Sequence, residues 1–294
     1  MGSRFQAVPG DEQALPPLLT MLRSVALATA AVFAASACAS LPNATRSQSL
    51  RAMTYNIQYG HEGLDSVADV IRAQKPDIVG LQEVDVHWNE RSNFVDQAQL
   101  LAKSTGMNYR FARIYQLPNS DPSKPPREFG VALLTRHPIL SFANHEITRL
   151  STQEENPVPQ PLPGLLEATV DVNGTKIRVF DVHLDYRRDP AVRMRQVADM
   201  LRYVGDSSIP TLMFGDMNAY PDAPELQPLF GKFRDTWPYA QDSGWSAPAK
   251  EPKGKIDYVL TSDGFRVVKA WAPKVYASDH LPVVVDLVFE PRSR

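Results

Sequence analysis

The sequence predicts an α/β fold with mixed sheets, and three observations predict it. Residues 50–84 read as strand, helix, strand; Asn173-Gly174 separates two apolar runs; and residues 190–204 form a helical pattern that leads into another apolar run. A helical crossover returns a parallel strand, whereas a two-residue turn joins antiparallel ones, so both kinds of pairing are needed.

The first strand, residues 50–57, is apolar and ends at Asn56 and Ile57. Residues 65–74 follow as a helix with Leu64, Val67, Val70 and Ile71 on one face and Asp65 or Ser66 placed to cap it. Lys75-Pro76 closes that helix, because proline disfavours helical geometry in the residue before it. Residues 77–84 are a buried-strand run. A second helix is predicted over residues 94–104, then strands over 109–115, 129–135 and 139–147. Residues 165–172 and 175–184 flank Asn173-Gly174, two residue types that accept the positive φ of a tight hairpin. In the helix at 190–204, Val192, Val197, Leu201 and Val204 point inward and Arg193, Arg195 and Arg202 outward. Strands at 211–215, 255–261, 265–272 and 283–289 complete the pattern. No composition break or internal repeat divides residues 50–289, so 50–294 read as one domain after a linker at 41–49.

The chain has 294 residues, 43% of them hydrophobic, enough for a substantial core. With 31 basic and 33 acidic residues the formal charge is -2, so no global field draws it to nucleic acid or an anionic membrane. The 25 prolines gather in stretches such as 117–126 and 156–163, which read as long loops on a β-rich frame.

Residues 1–40 read as an N-terminal extension and an export segment. From Met21, a candidate initiator, runs Met-Leu-Arg-Ser, then an Ala-rich apolar stretch at 25–35, then Ser36-Ala37-Cys38-Ala39-Ser40. A positive start, a short apolar region and small residues make a secretory signal, too short to span a membrane comfortably. Cys38, the one cysteine, follows Ala35-Ser36-Ala37 as in the lipobox of bacterial lipoproteins, with Ala35 where Leu is usual. Cleavage after Ala39 would instead release a soluble protein, and a buried helix is the remaining reading. The expectation is an exported, extracytoplasmic monomer, either secreted or attached to a membrane through Cys38.

Four apolar runs end in polar groups of one kind: Thr54-Tyr55-Asn56, Leu81-Gln82-Glu83, Asp181-Val182-His183 and Gly215-Asp216-Met217-Asn218. Any one of these acids is more often a turn former or cap. Together, at strand ends of a layered α/β fold, they mark the edge where ligand sites are assembled. The oxygen donors Glu83, Asp216, Asn218 and Asp279 suit Mg²⁺, with Mn²⁺ or Ca²⁺ as alternatives, and Glu83 is the first choice of ligand. The single cysteine argues against a closed structural zinc site.

Six segments in order, Met53-Thr54-Tyr55-Asn56-Ile57, Leu81-Gln82-Glu83-Val84, Asp181-Val182-His183-Leu184, Gly215-Asp216-Met217-Asn218-Ala219, Lys255-Ile256-Asp257-Tyr258-Val259 and Ser278-Asp279-His280-Leu281-Pro282, resemble the endonuclease/exonuclease/phosphatase superfamily. The resemblance implies a four-layer α/β/β/α sandwich of two packed mixed sheets flanked by helices, with a divalent metal at one edge. It implies that Glu83 binds the metal, that Asn56 orients it or a phosphate oxygen, and that Asp279 lies near it. It further implies that His280, oriented by Asp257, faces the scissile phosphate; that Asp216 positions or deprotonates the attacking water; and that Asn218 and His183 donate to the phosphoryl oxygens. Two departures stand out: Gln58 occupies a position where some relatives carry an acid, and Pro161-Leu162-Pro163-Gly164 stands where several carry an arginine. Arg91 is the candidate clamp on a substrate phosphate, or else an exposed loop arginine. Arg187, Arg188, Arg193 and Arg195, interspersed with acids, read as a solvated helix face, and Trp88, Trp237 and Trp245 as packing at the rim.

The expected activity is metal-dependent hydrolysis of a phosphate ester. Nucleic acid, a phospholipid or sphingolipid head group and a soluble phosphoester remain as substrates. The alternative is a binding module that keeps the fold without catalysis.

Overall fold

The computed structural model describes residues 47–239 and 244–289; the predicted export segment and Cys38 lie outside the described residues. In chain order the main elements are β1 (Gln48–Asn56), α1 (Leu64–Gln74), β2 (Ile78–Val86), α2 (Gln97–Thr105), β3 (Asn108–Leu117), β4 (Arg127–Thr135), β5 (Ile139–Arg149) and β6 (Gln160–Val172). They continue as β7 (Thr175–His183), α3 (Ala191–Val204), β8 (Thr211–Asp216), α4 (Gln227–Phe230), β9 (Arg234–Asp235), β10 (Asp257–Thr261), β11 (Phe265–Trp271) and β12 (Val283–Phe289). The strands form two six-stranded mixed sheets, ordered β11-β12-β1-β2-β4-β3 and β5-β6-β7-β8-β10-β9. Each sheet contains one parallel pair joined by a helical crossover, β1–β2 and β7–β8, and antiparallel neighbours elsewhere.

Side-chain alternation builds the layers. Along β1, Leu50 and Ala52 join a core cluster with Leu212, Phe214 and Val179 of the other sheet, while Met53 and Tyr55 pack with Val67, Ile71 and Leu101 of the helices. On the far side Phe180, Met213 and Tyr258 meet Val197 and Met200 of α3. The order is therefore helices, sheet, sheet, helix, as the family resemblance implies. Gly80 lets the sheets close: a Cβ there would stand 2.6 Å from Phe214 Cβ and 3.0 Å from Asp181 Cγ.

Several local expectations are corrected. No side chain caps α1; its N-cap is Gly63, not Asp65 or Ser66. The helix predicted from residue 94 starts at Gln97, because Asp96 caps it by accepting from Gln99 N–H and Phe94 adopts φ 56° in the preceding loop. Strand β6 begins at Gln160 and runs through Pro161 and Pro163. There it pairs with β5 alone, since β7 joins only from Leu165, so the missing proline donors face no second strand. Arg193 turns inward, not outward: it is buried and meets Glu225 at 2.8 Å while donating to Asp185 O at 3.0 Å. Trp88 is buried, whereas Trp245 stays exposed.

Candidate active site

Alternation also explains why so many polar groups reach one edge. The inner face of β8 carries Leu212, Phe214 and then Asp216; that of β7 carries Ile177, Val179, Asp181 and His183; that of β1, Leu50, Ala52, Thr54 and Asn56. Parallel register sets Asn56 against Gln82 and His183 against Asp216, and β10 enters antiparallel with Asp257 against Asp216.

Asp216, 1% exposed, is the hub. Its Oδ2 accepts from Asn56 Nδ2 at 3.0 Å across the two sheets, and lies 3.5 Å from His183 Nε2 and 3.8 Å from His280 Nε2. Its Oδ1 accepts from the backbone N–H of Asn218 at 2.9 Å. Asn218 has φ 48°, a left-handed conformation that asparagine tolerates, and its Nδ2 donates to Leu184 O at 3.0 Å. One amide proton of Asn218 is therefore committed to the loop after β7.

Glu83 reaches the edge through a bulge. Leu81 and Val84 both pack toward the helices, so two residues lie between them, the register with β4 shifts there, and Glu83 takes φ 57°. Its Oε1 accepts from Asn56 Nδ2 at 3.0 Å, and Asn56 Oδ1 accepts from Gln58 N–H at 3.0 Å. Asn56 thus joins Glu83 of one sheet to Asp216 of the other.

His280 Nδ1 hydrogen-bonds Asp257 Oδ2 at 2.9 Å, which directs Nε2 toward Asp216. Burial works against the imidazolium, but the charge and hydrogen bond of Asp257, with Asp216 and Asp279 beyond, raise His280 to about 10. Burial likewise raises Asp257, with His280 opposing. Ser278 Oγ donates to Asn56 O at 2.7 Å and accepts from His280 N–H at 3.2 Å, tying this loop to the end of β1. Asp279 is exposed beside it, with Oδ1 3.3 Å from Ser278 Oγ.

Two sets of side chains here bear on a metal. Asp216, Asp257 and His280 have ligand atoms within 4.8 Å of one another. In that set His280 Nδ1 is engaged by Asp257 and the ring is held charged, which makes it a poor ligand. Half-buried Glu83, Asn56 hydrogen-bonded to it and exposed Asp279 supply oxygen donors, the chemistry of a hard cation, and leave room for water and phosphate.

Arg91 lies at a cleft of about 240 Å³ that Glu83 and His183 also line. Its Nε and Nη2 bind Asp85 at 2.9 and 2.8 Å, and its guanidinium lies 4.2 Å from the Tyr59 ring centroid, so it is an exposed arginine, as the alternative reading has it, but one braced at the cleft. Asp185 pairs with Arg187, as a loop acid would.

Sequence reasoning left the role of Asp181 and Gln82 unread. Gln82 Nε2 donates to Asp181 Oδ1 at 2.6 Å and to Thr54 Oγ1 at 3.1 Å, a buried polar chain between the sheets directly beneath Glu83 and His183. The signal was present, since a polar residue at alternate positions before His183 and beside Glu83 breaks both apolar runs. Burial holds the Asp181 carboxyl well above the usual carboxylate range. A carboxyl that binds its proton more tightly when folded contributes stability that is full below its unfolded pKa, about 4, and is lost as pH rises through the folded value. Asp181→Asn should therefore raise the melting temperature at pH 8, by about 2–4 °C per kcal/mol gained, and lose that advantage near pH 4. Melting curves across this range check it; a pH-independent difference would contradict it.

A family model described as the Endonuclease/Exonuclease/phosphatase family matches residues 53–280. Among solved structures, an endonuclease/exonuclease/phosphatase from Beutenbergia cavernae DSM 12333 is 25% identical with TM-score 0.66, covering 83% of this chain and 72% of that one. The human Nocturnin catalytic domain with bound sulfate is 20% identical with TM-score 0.62, covering 82% and 94%. Mannosyl-6-phosphatase Bt3783 of Bacteroides thetaiotaomicron VPI-5482 is 17% identical with TM-score 0.59, covering 82% and 100%. A comparison with curated protein sequences found no match.

Proposed function

Because the chain belongs to the Endonuclease/Exonuclease/phosphatase family, we propose that it is a metal-dependent hydrolase of phosphate esters that works by direct attack of water on phosphorus. The observation that carries this reading is the Asp216 carboxylate, held across two sheets by Asn56 and faced by the Nε2 atoms of both His183 and His280.

Asp216 orients the attacking water and takes up its proton; its Oδ1 is fixed by the Asn218 N–H, which leaves Oδ2 as the working oxygen. His280, braced through Nδ1 by Asp257, presents Nε2 to a phosphoryl oxygen, and His183 presents Nε2 from the opposite sheet position. The remaining amide proton of Asn218 adds a donor on that side. Glu83, Asn56 and Asp279 would hold the cation. When bound there, Mg²⁺ or a similar ion would supply charge neutralisation on the phosphate and at the leaving oxygen. As water oxygen bonds to phosphorus and its proton passes to Asp216, the ester P–O bond breaks and the leaving alkoxide takes a proton from solvent.

Export belongs to the same reading: the segment ending near Cys38 would deliver the domain outside the cytoplasm, free or lipid-anchored. The test is hydrolysis of bis-p-nitrophenyl phosphate, plasmid DNA and sphingomyelin with Mg²⁺ and with EDTA. Turnover of at least one ester that EDTA abolishes is expected. No hydrolysis of any ester by folded, metal-bound protein would instead favour a binding module.

A further inference from the structure

Three guanidinium groups line the cleft beside Glu83 and His183 or its immediate edge, and only one of them lacks a carboxylate. Arg91 is paired with Asp85, and Arg187 with Asp185. Arg149 is 6% exposed and donates from Nε to Pro163 O at 2.9 Å, from Nη1 to His183 O at 3.0 Å and from Nη2 to Gly164 O at 2.9 Å. Those three bonds leave two of its five N–H groups, and no acid pairs with its charge among the described residues. Burial lowers it to about 10. Asp185, which acts on it through space, is itself paired with Arg187, and a buried cation so weakly balanced is costly unless something supplies a counter-charge.

A second buried donor stands on the same segment. Gln196 on α3 is fully buried and lines the cleft; its Oε1 accepts from Asp185 N–H at 2.9 Å, and its Nε2 has no hydrogen-bond partner among the described residues. Arg149 grips the backbone at His183 and Gln196 grips it at Asp185, so the two donors flank one three-residue stretch at the inner end of the cleft. The cleft is also lined by aromatic rings: Trp88 and Tyr115 lie 5.9 and 6.3 Å from Phe129, centroid to centroid. A volume of about 240 Å³ equals roughly eight waters at about 30 Å³ each, room for one ring and a substituent.

We propose that this cleft holds the organic part of the substrate, a single ring bearing a second anionic group such as a phosphate, which Arg149 and Gln196 receive while the scissile phosphate lies against Glu83, His183 and Asp216. The proposal rests on the phosphoesterase reading above. The ribose of a nucleotide, with its base outside the cleft, and the ring of a sugar phosphate share this chemistry, so matched pairs of each serve as probes. Adenosine 3′,5′-bisphosphate against adenosine 5′-monophosphate, and fructose 1,6-bisphosphate against fructose 6-phosphate, differ within a pair by the second phosphate.

Inhibition of bis-p-nitrophenyl phosphate hydrolysis should be at least tenfold tighter for the bisphosphate of one pair or both, and the pair that shows it identifies the ring. Gln196→Glu keeps the acceptor for Asp185 N–H, removes the donor and places in the cleft a negative charge that opposes a second phosphate. It should cut the tenfold preference to less than threefold, with the monophosphate inhibition constant shifting less than that of the bisphosphate. Equal inhibition within both pairs in the wild type, or a preference that survives Gln196→Glu, would overturn the proposal. If the wild type hydrolyses no ester, the phosphoesterase reading fails first, and calorimetric binding of the same four probes still decides this one by the same ratio.

Discussion

His280→Ala is expected to lower kcat on bis-p-nitrophenyl phosphate by about 10²–10⁴-fold, the range of a positioned acid–base or donor group, measured at a temperature where the variant is folded. The imidazole is held by Asp257 at 2.9 Å, so its removal empties the donor position and also leaves the buried Asp257 carboxyl without its partner. Asp257→Asn should cost less, because the ring remains and only its orientation and charge are weakened. If the two act as one unit, the double variant should be no slower than His280→Ala alone. Multiplying losses, or a His280→Ala rate near wild type, would show that this pair does not serve the reaction.

Glu83→Gln is the second large effect. The exchange keeps size and an oxygen for Asn56 Nδ2 but removes the half-buried carboxylate of the oxygen-donor set. A metal contribution of several kcal/mol corresponds to a loss of about 10²–10⁴-fold in kcat/KM at moderate Mg²⁺. Raising the metal concentration should recover part of the rate in Glu83→Gln and none in His280→Ala, since only the first weakens metal binding. Equal responses of the two variants to Mg²⁺ would remove Glu83 from the ligand set.

Much of this arrangement is legible in the sequence, for a physical reason. A polar side chain at the last position of a strand whose preceding residues are buried marks a strand end that carries chemistry, and Asn56, His183 and Asp216 all stand at such points. The Asn173-Gly174 turn and the two crossovers then determine which ends share an edge. What the sequence hides depends on distance between remote segments. Nothing local says that Arg193 finds Glu225, 32 residues away, or that Arg149 turns back onto the backbone carbonyls of Pro163, Gly164 and His183. Arginine reads as solvated by composition, and only partners brought by the fold make it buried. The bulge at Glu83 is hidden in the same way, because an apolar run shows periodicity but not one inserted residue. The Gln82–Asp181 bond joins strands of different sheets, so its two ends look like isolated polar interruptions until the sheets are packed.

Hydrolysis of bis-p-nitrophenyl phosphate by chelator-treated wild type and by chelator-treated Glu83→Gln, followed as Mg²⁺ is titrated back, bears on the metal, Glu83 and the reaction together. The wild type should recover full activity along a saturable curve, and Glu83→Gln should require far more Mg²⁺ for a fraction of it. Activity that survives chelation, or two superimposable curves, would contradict a phosphoesterase whose cation is held by Glu83.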